Sequence, residues 1–235
     1  IKKTFLFKNN GEQNGLLTVR GTIQNNVEIN VEEGWNWIGY PRSEIGSLNE
    51  MLPNARVNDF IKDQSQFAQY FGGATGWFGA LTNLVPGNGY FYKSTEQNTH
   101  IFNQTNIEKS RNINDILSVI KRSTETNQLS EDELVLNINS FEFNASLSGV
   151  VRFGTLDITE GIIVAYVGDE IRGISKSSEG SWINFPPTGE TIVSLTIYSN
   201  LSSGEQINIK YYDGSGLIDL TTTEDIIFEA NGIYG

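Results

Sequence analysis

Apolar and polar residues alternate through most of the chain. The runs Leu17-Thr18-Val19-Arg20-Gly21-Thr22-Ile23, Val27-Glu28-Ile29-Asn30-Val31 and Trp35-Asn36-Trp37-Ile38-Gly39-Tyr40 have a period of two. Successive side chains in such a run point to opposite faces, which predicts half-buried strands. Clusters that tolerate positive φ separate the runs: Asn25-Asn26, Glu32-Glu33-Gly34, Gly72-Gly73-Ala74-Thr75-Gly76 and Pro86-Gly87-Asn88-Gly89. Short strands with regular turns predict an all-β arrangement. Two segments depart from the period. Ser47-Leu48-Asn49-Glu50-Met51-Leu52 places Glu three residues after a serine cap, and Pro53 stops the helix that this spacing starts. Ile113, Ile116, Leu117 and Ile120 fall on one helical face and predict a second short helix. The following stretch from Arg122 to Glu133 is polar and charged, which reads as a linker.

Beyond the linker, apolar runs return at Leu134 to Ile138, Phe141 to Leu147, Val150 to Phe153, Ile162 to Val167, Glu170 to Ser175, Ile192 to Ser199, Gln206 to Tyr212 and Ile226 to Ala230. That many strands in roughly one hundred residues is the size of an immunoglobulin-like β-sandwich. The expected fold is therefore mostly β, with two small β-rich modules, the second an immunoglobulin-like β-sandwich, and one or two short helices. The first module is placed at residues 11–106, the helix and linker at 107–133, and the sandwich at 134–235.

Composition narrows the chemistry. Of 235 residues, 28 are acidic and 16 basic, a net charge of −12 that argues against a nucleic-acid partner. The chain has no cysteine, which removes disulfides, thiolate nucleophiles and cysteine-based zinc sites, and its one histidine leaves little room for histidine-centred chemistry. No run reaches the ~18 apolar residues of a membrane span. These absences favour a protein that is not an enzyme. Abundant Asn, Ser, Thr and Gly with little Lys and Met tilt the expected location toward the outside of a cell. The start at Ile1-Lys2-Lys3, without an initiator Met, reads as a piece of something larger.

An internal echo supports that expectation. Phe5-Leu6-Phe7-Lys8-Asn9-Asn10 and Tyr90-Phe91-Tyr92-Lys93-Ser94-Thr95 share an aromatic-apolar-aromatic-Lys-polar-polar pattern. Residues 1–10 would then be the last strand of a preceding repeat in a tandem array. Such a strand leaves an edge for pairing with another chain, so filament or neighbouring-repeat contacts are expected there.

Several motifs occur as an ordered set: Gly34-Trp35-Asn36-Trp37-Ile38-Gly39-Tyr40-Pro41, Ser47-Leu48-Asn49-Glu50, Asp59-Phe60-Ile61-Lys62-Asp63-Gln64, Gly76-Trp77-Phe78-Gly79-Ala80-Leu81 and Pro86-Gly87-Asn88-Gly89-Tyr90. Together they resemble a GWNWIGYP-type repeat found in large secreted or surface-attached proteins of Bacteroidetes and related bacteria. The resemblance covers roughly residues 17–95. The second half, through Ile162 to Gly173, Leu195 to Asn200, Ile209 to Asp213 and Ile227 to Gly232, is similar to a β-sandwich module that accompanies that repeat. The resemblance implies an extracellular, adhesin-like or accessory role, often with export by the type IX system. It supplies a location and a class, with no catalytic residue to carry over.

Candidate sites follow from residue type. Trp35, Trp37, Tyr40, Trp77 and Phe78 could form a stacking platform for sugar rings, whose C–H faces pack on aromatic faces. On a period-two strand Trp35 and Trp37 share a face, and in a small domain such a pair is usually the core. Asp157, Glu160, Asp169 and Glu170 read as solvated loop charges. Asp169 and Glu170 with Asp213 could offer oxygen ligands to Ca²⁺, although no D-x-D-x-D-G loop is present. Asp213-Gly214-Ser215-Gly216 reads as a hairpin turn, and Gly87-Asn88-Gly89, which lacks a third glycine, reads as a turn also. His100 has no constellation of partners and is expected on an exposed strand position. The expected function is a non-catalytic segment of a large extracellular adhesin-like protein that presents or spaces binding surfaces toward a cell-surface or polysaccharide ligand. The alternative is a carbohydrate-binding accessory region of a secreted hydrolase.

Overall fold

The computed structural model describes residues 26–103, 134–212 and 216–235, which fall into two compact β-rich units. The N-terminal echo at residues 1–10, the expected strand at 17–23, the helix at 113–120 and the linker lie outside the described residues.

In the first unit β1 (Asn26–Val31), β2 (Gly34–Gly39), β3 (Gly46–Ser47), α1 (Leu48–Met51), β4 (Phe60–Lys62), β5 (Phe67–Tyr70), β6 (Trp77–Gly79), β7 (Asn83–Leu84), β8 (Gly89–Ser94) and β9 (Asn98–Asn103) follow in order. Five of them form an antiparallel sheet in the order β2-β8-β4-β5-β6, while β1 pairs with β9 and β3 with β7. Helix α1 starts where the capping residues predict: the Ser47 hydroxyl accepts a hydrogen bond from the Glu50 N–H at 3.3 Å.

The register assigns two faces to the five-stranded sheet. Ile38, Tyr90, Tyr92, Ile61, Ala68 and Trp77 point inward and join Val27, Ile29, Val31, Leu48, Leu52, Leu84 and Phe102 in the core. A polar node lies within it. Buried Asp59 accepts from the Tyr92 hydroxyl (2.5 Å), the Arg56 N–H (2.8 Å), the Thr95 N–H (2.8 Å) and the Thr95 hydroxyl (2.9 Å). These four bonds let a carboxylate stay buried.

His100 corrects the expectation of an exposed histidine. It lies on β9 with its side chain fully buried, edge-on to Tyr92 with ring centroids 5.0 Å apart. The inward position follows from its pairing with Ile29 of β1, a core residue. Neither ring nitrogen has a hydrogen-bond partner among the described residues, and burial pushes the imidazole down to about 4.

The second unit contains β10 (Phe143–Gly149), β11 (Arg152–Phe153), β12 (Leu156–Asp157), β13 (Ile162–Val167), β14 (Glu170–Lys176), β15 (Trp182–Asn184), β16 (Thr191–Ser199), β17 (Ser203–Tyr212), β18 (Leu217–Leu220), β19 (Ile226–Glu229) and β20 (Ile233–Tyr234). One sheet runs β15-β16-β10-β20 and the other β14-β13-β17-β18, with β19 also on β17. With β10, β13, β15, β16, β17 and β18 as strands B, C, D, E, F and G, the pairs B–E, E–D, C–F and F–G are those of an immunoglobulin sandwich, and β14 adds a C′ strand. Ala145, Ile163, Ala165, Trp182, Leu195, Ile197, Ile209 and Phe228 fill the space between the sheets.

The uninterrupted apolar run of β13 is explained by burial on both faces: Ile163 and Ala165 enter the sandwich core, while Ile162, Val164 and Tyr166 pack with Leu134 on the outside. The expected strand at Leu134 to Ile138 is not one. Residues 134–137 have no regular structure and Ile138–Ser140 is a single 3₁₀ turn, so Leu134 and Leu136 are buried as a covering segment.

Candidate functional site: an aromatic sheet face

The outward face of the five-stranded sheet carries the site. Its positions are Trp35 and Trp37 on β2, Phe91 and Lys93 on β8, Phe60 and Lys62 on β4, Phe67 and Gln69 on β5, and Phe78 on β6. An outward sheet face is ordinarily polar. Here six of these nine side chains are aromatic and none is acidic.

Cross-strand geometry builds a column of rings. Phe91 lies directly opposite Trp37 and diagonal to Trp35, within reach of both. It stacks on Trp37 at 4.4 Å and 27° and on Trp35 at 4.5 Å and 14°, so each of its faces meets an indole. Phe60 then meets Trp35 edge-on at 6.1 Å and stacks with Phe67 at 5.4 Å. Stacked pairs of this kind contribute about 0.5–1.5 kcal/mol each beyond area burial. Two ammonium groups approach Trp35: Lys62 Nζ at 5.4 Å and Lys93 Nζ at 5.8 Å from the ring centroid.

The face is graded in exposure. Phe60, Lys62 and Phe67 are buried, and burial pushes the Lys62 ammonium down to about 8. Trp35 and Phe91 are half-buried, Lys93 is exposed, and Trp37 is 51% exposed. Since the column occupies one face of Trp37 and no second ring meets it among the described residues, its far face is the flat aromatic surface left open.

The five candidate platform residues therefore separate. Trp35 and Trp37 share the face, as their spacing predicts. Tyr40 and Trp77 are corrected to core residues: Tyr40 packs edge-on to Phe102 at 5.7 Å, and Trp77 lies 5.4 Å from Tyr70 on the inward face. Phe78 points outward but stands on β6, four strands from β2 and roughly 19 Å away at the usual strand spacing, edge-on to Phe71. Phe91 and Lys93 were missed as site residues. Their signal is present in the alternation Tyr90-Phe91-Tyr92-Lys93, but the pairing of β8 with β2 is long-range.

Asp169 is exposed in the turn between β13 and β14, and Glu170 sits 3.1 Å from Arg172. Asp213 lies outside the described residues. Among the described residues no group of three His, Cys, Asp or Glu side chains could hold a metal ion. Arg172 itself is buried in a structural clamp, bidentate to Glu205 at 2.8 and 3.1 Å, bonded to the Tyr198 carbonyl at 3.3 Å and placed over the Phe141 ring at 5.3 Å.

Compared with known proteins, the chain matches no family model, no curated protein and no solved structure. No helix among the described residues is long and apolar enough to cross a membrane.

Proposed function

We propose that this chain is a non-catalytic segment of an extracellular, adhesin-like protein, and that the aromatic face is a binding surface it presents. The observation that carries this reading is the ring column that ends in the open face of Trp37 on an otherwise acidic chain. A large aromatic ring held rigid and half-exposed at the surface favours contact with a ligand. The resemblance of the Gly34 to Tyr90 motifs to repeats of surface-attached bacterial proteins supports the extracellular location.

A second reading, a carbohydrate-binding accessory region of a secreted hydrolase, shares the same face and is favoured by the fit of a flat indole to a pyranose ring. A polysaccharide array tests both. Binding by the wild-type protein, lost in Trp37→Ala with the fold retained and only the modest drop in melting temperature that loss of the Phe91 stack predicts, is the expected outcome. Absence of binding to every polymer by a folded protein would remove the aromatic face as a sugar surface. Repeating the array with EDTA tests the calcium expectation, since sensitivity would show that binding needs a divalent cation.

A further inference from the structure

We infer that β2 is a self-association edge: two copies of this chain pair their β2 strands antiparallel about a two-fold axis, and each covers the open face of the other's Trp37. The inference rests on the reading of the aromatic face as a binding surface and names the partner as a second copy.

Hydrogen-bond parity exposes the edge. β2 ends the sheet order β2-β8-β4-β5-β6, so β8 is its one neighbour among the described residues. The Tyr40 N–H donates to the Asn88 carbonyl at 3.0 Å, which continues the register of Gly39 with Gly89 and marks a hydrogen-bonded pair. Such pairs alternate, so Gly34, Asn36 and Ile38 aim their main-chain groups at β8, while Trp35, Trp37 and Gly39 aim theirs away from it. No described group meets these outward N–H and C=O groups. Pro41, which has no N–H, ends the row. Edge strands are ordinarily blunted by charge or by shortness. Glu28 stands on β1, Arg172 and Lys176 on β14 and Asp219 on β18, and β6 has only three residues. β2 has six residues and no charge.

The partner that fits this edge is β2 itself. Phe91 lies between Trp35 and Trp37, so the open face of Trp37 looks along the strand toward Gly39, an outward position without a side chain. Setting Trp37 opposite Gly39 of the second copy obeys the parity, because both residues direct their main-chain groups off the sheet, and each such pair exchanges both of its bonds. The second copy's Trp37 then lies diagonal to the first, the offset at which Phe91 stacks on Trp35 at 4.5 Å, and it fills the place over Gly39. The two ring columns become one continuous stack. An unrelated extended segment would satisfy the ladder alone, whereas β2 also brings the ring and the gap beside it.

Charge permits the antiparallel arrangement. A chain of net charge −12 repels its copy, yet no outward strand position of this sheet is acidic. Glu32 and Glu33 precede β2, so antiparallel pairing carries the two sets to opposite ends. They stand roughly 30 Å apart along the strands, well beyond the screening length of about 8 Å in physiological salt.

Sedimentation velocity of the full chain from micromolar to submillimolar concentration is the test, with residue-resolved amide exchange at both ends of that range. Wild-type protein is expected to reach a limiting dimer that strengthens as salt rises, because salt screens the repulsion between two anionic chains. The Trp37 and Gly39 amides should gain protection in the dimer, while those of Asn36 and Ile38, bonded to β8, are protected throughout. Trp37→Ala and Gly39→Lys are each expected to raise the dissociation constant at least about tenfold. Gly39→Lys leaves every ring of the column in place and so separates the edge from the fold. Leu201→Lys, the same added charge at an exposed site elsewhere, should leave the dimer unchanged. A dimer that survives Gly39→Lys with the Trp37 and Gly39 amides unprotected, or growth beyond a dimer, would overturn the inference. A monomer at every concentration that binds a polysaccharide through Trp37 would overturn it and leave the aromatic face standing as a binding surface. A monomer that binds no polysaccharide would overturn both.

Discussion

The neutral imidazole of His100 sits in the core with two nitrogens that find no partner among the described residues. Charging it there means placing a cation among Tyr92, Ile29 and Phe102, and the Asp59 carboxylate behind Tyr92 offsets that cost only in part. The folded-state value of about 4 lies below the ordinary 6.5, so between those two pH values the unfolded chain binds more protons than the native one. Stability from this group is therefore fully present above pH 6.5 and is lost as pH falls toward 4. A drop from 6.5 to about 4 corresponds to about 3 kcal/mol. Urea titrations of wild type and His100→Phe at pH 7.0 and pH 4.5 check it. The variant is expected to lose about 2–3 kcal/mol less on acidification and, having no unpartnered nitrogens, to be no less stable at neutral pH. Identical pH profiles would mean that His100 does not titrate in this range. In the sequence, His100 was legible only as a strand residue; its burial depends on the pairing of β9 with β1, a partner some seventy positions away.

At the scale of elements, the sandwich depends on how closely its two sheets approach. Gly173 on β14 lies against β16, where a Cβ would come within 2.5 Å of the Thr196 carbonyl oxygen and 3.1 Å of Leu195 Cδ1. The oxygen belongs to backbone and cannot turn away, so Gly173→Ala must push the sheets apart or bend β14. We expect a loss of about 1–3 kcal/mol in urea unfolding, the usual cost of overpacking. A wild-type midpoint would show that the sheets relax without cost. The elements themselves were largely readable. Alternation and apolar runs marked β1, β2, β13, β14, β16, β17 and β19 to within a few residues, and the Ser47 cap marked α1. Short strands such as β15, β18 and β20 escaped because two to four residues carry too little period to register, and Leu134 to Leu136 misled because a covering segment can alternate without joining a sheet.

Across the whole molecule, the legible part is what local pattern controls, and the candidate site shows the boundary. Trp35 and Trp37 share a face by periodicity alone, but whether that face is core or surface depends on which strands lie beside β2. The register then decides that Phe91 and Lys93 complete it and that Tyr40 and Trp77 turn the other way. The same long-range pairing separates the cores. One cluster draws only on residues between Val27 and Phe102, and the other two only on residues from Leu134 onward. Leu84 in the first and Ile197 in the second are fully buried, so truncation of either to Ala should cost about 2–5 kcal/mol. Because neither substitution removes an atom from the other's cluster, their effects should be confined and additive. Hydrogen exchange read by peptide provides the check. Leu84→Ala should lower protection in β2, β4 and β8 while β13, β16 and β17 keep theirs, and Ile197→Ala should do the reverse. Equal loss in both sets from a single substitution would show that the two cores unfold as one cooperative unit, and a ligand stacked on Trp37 would then stabilise the sandwich as well as the sheet it touches.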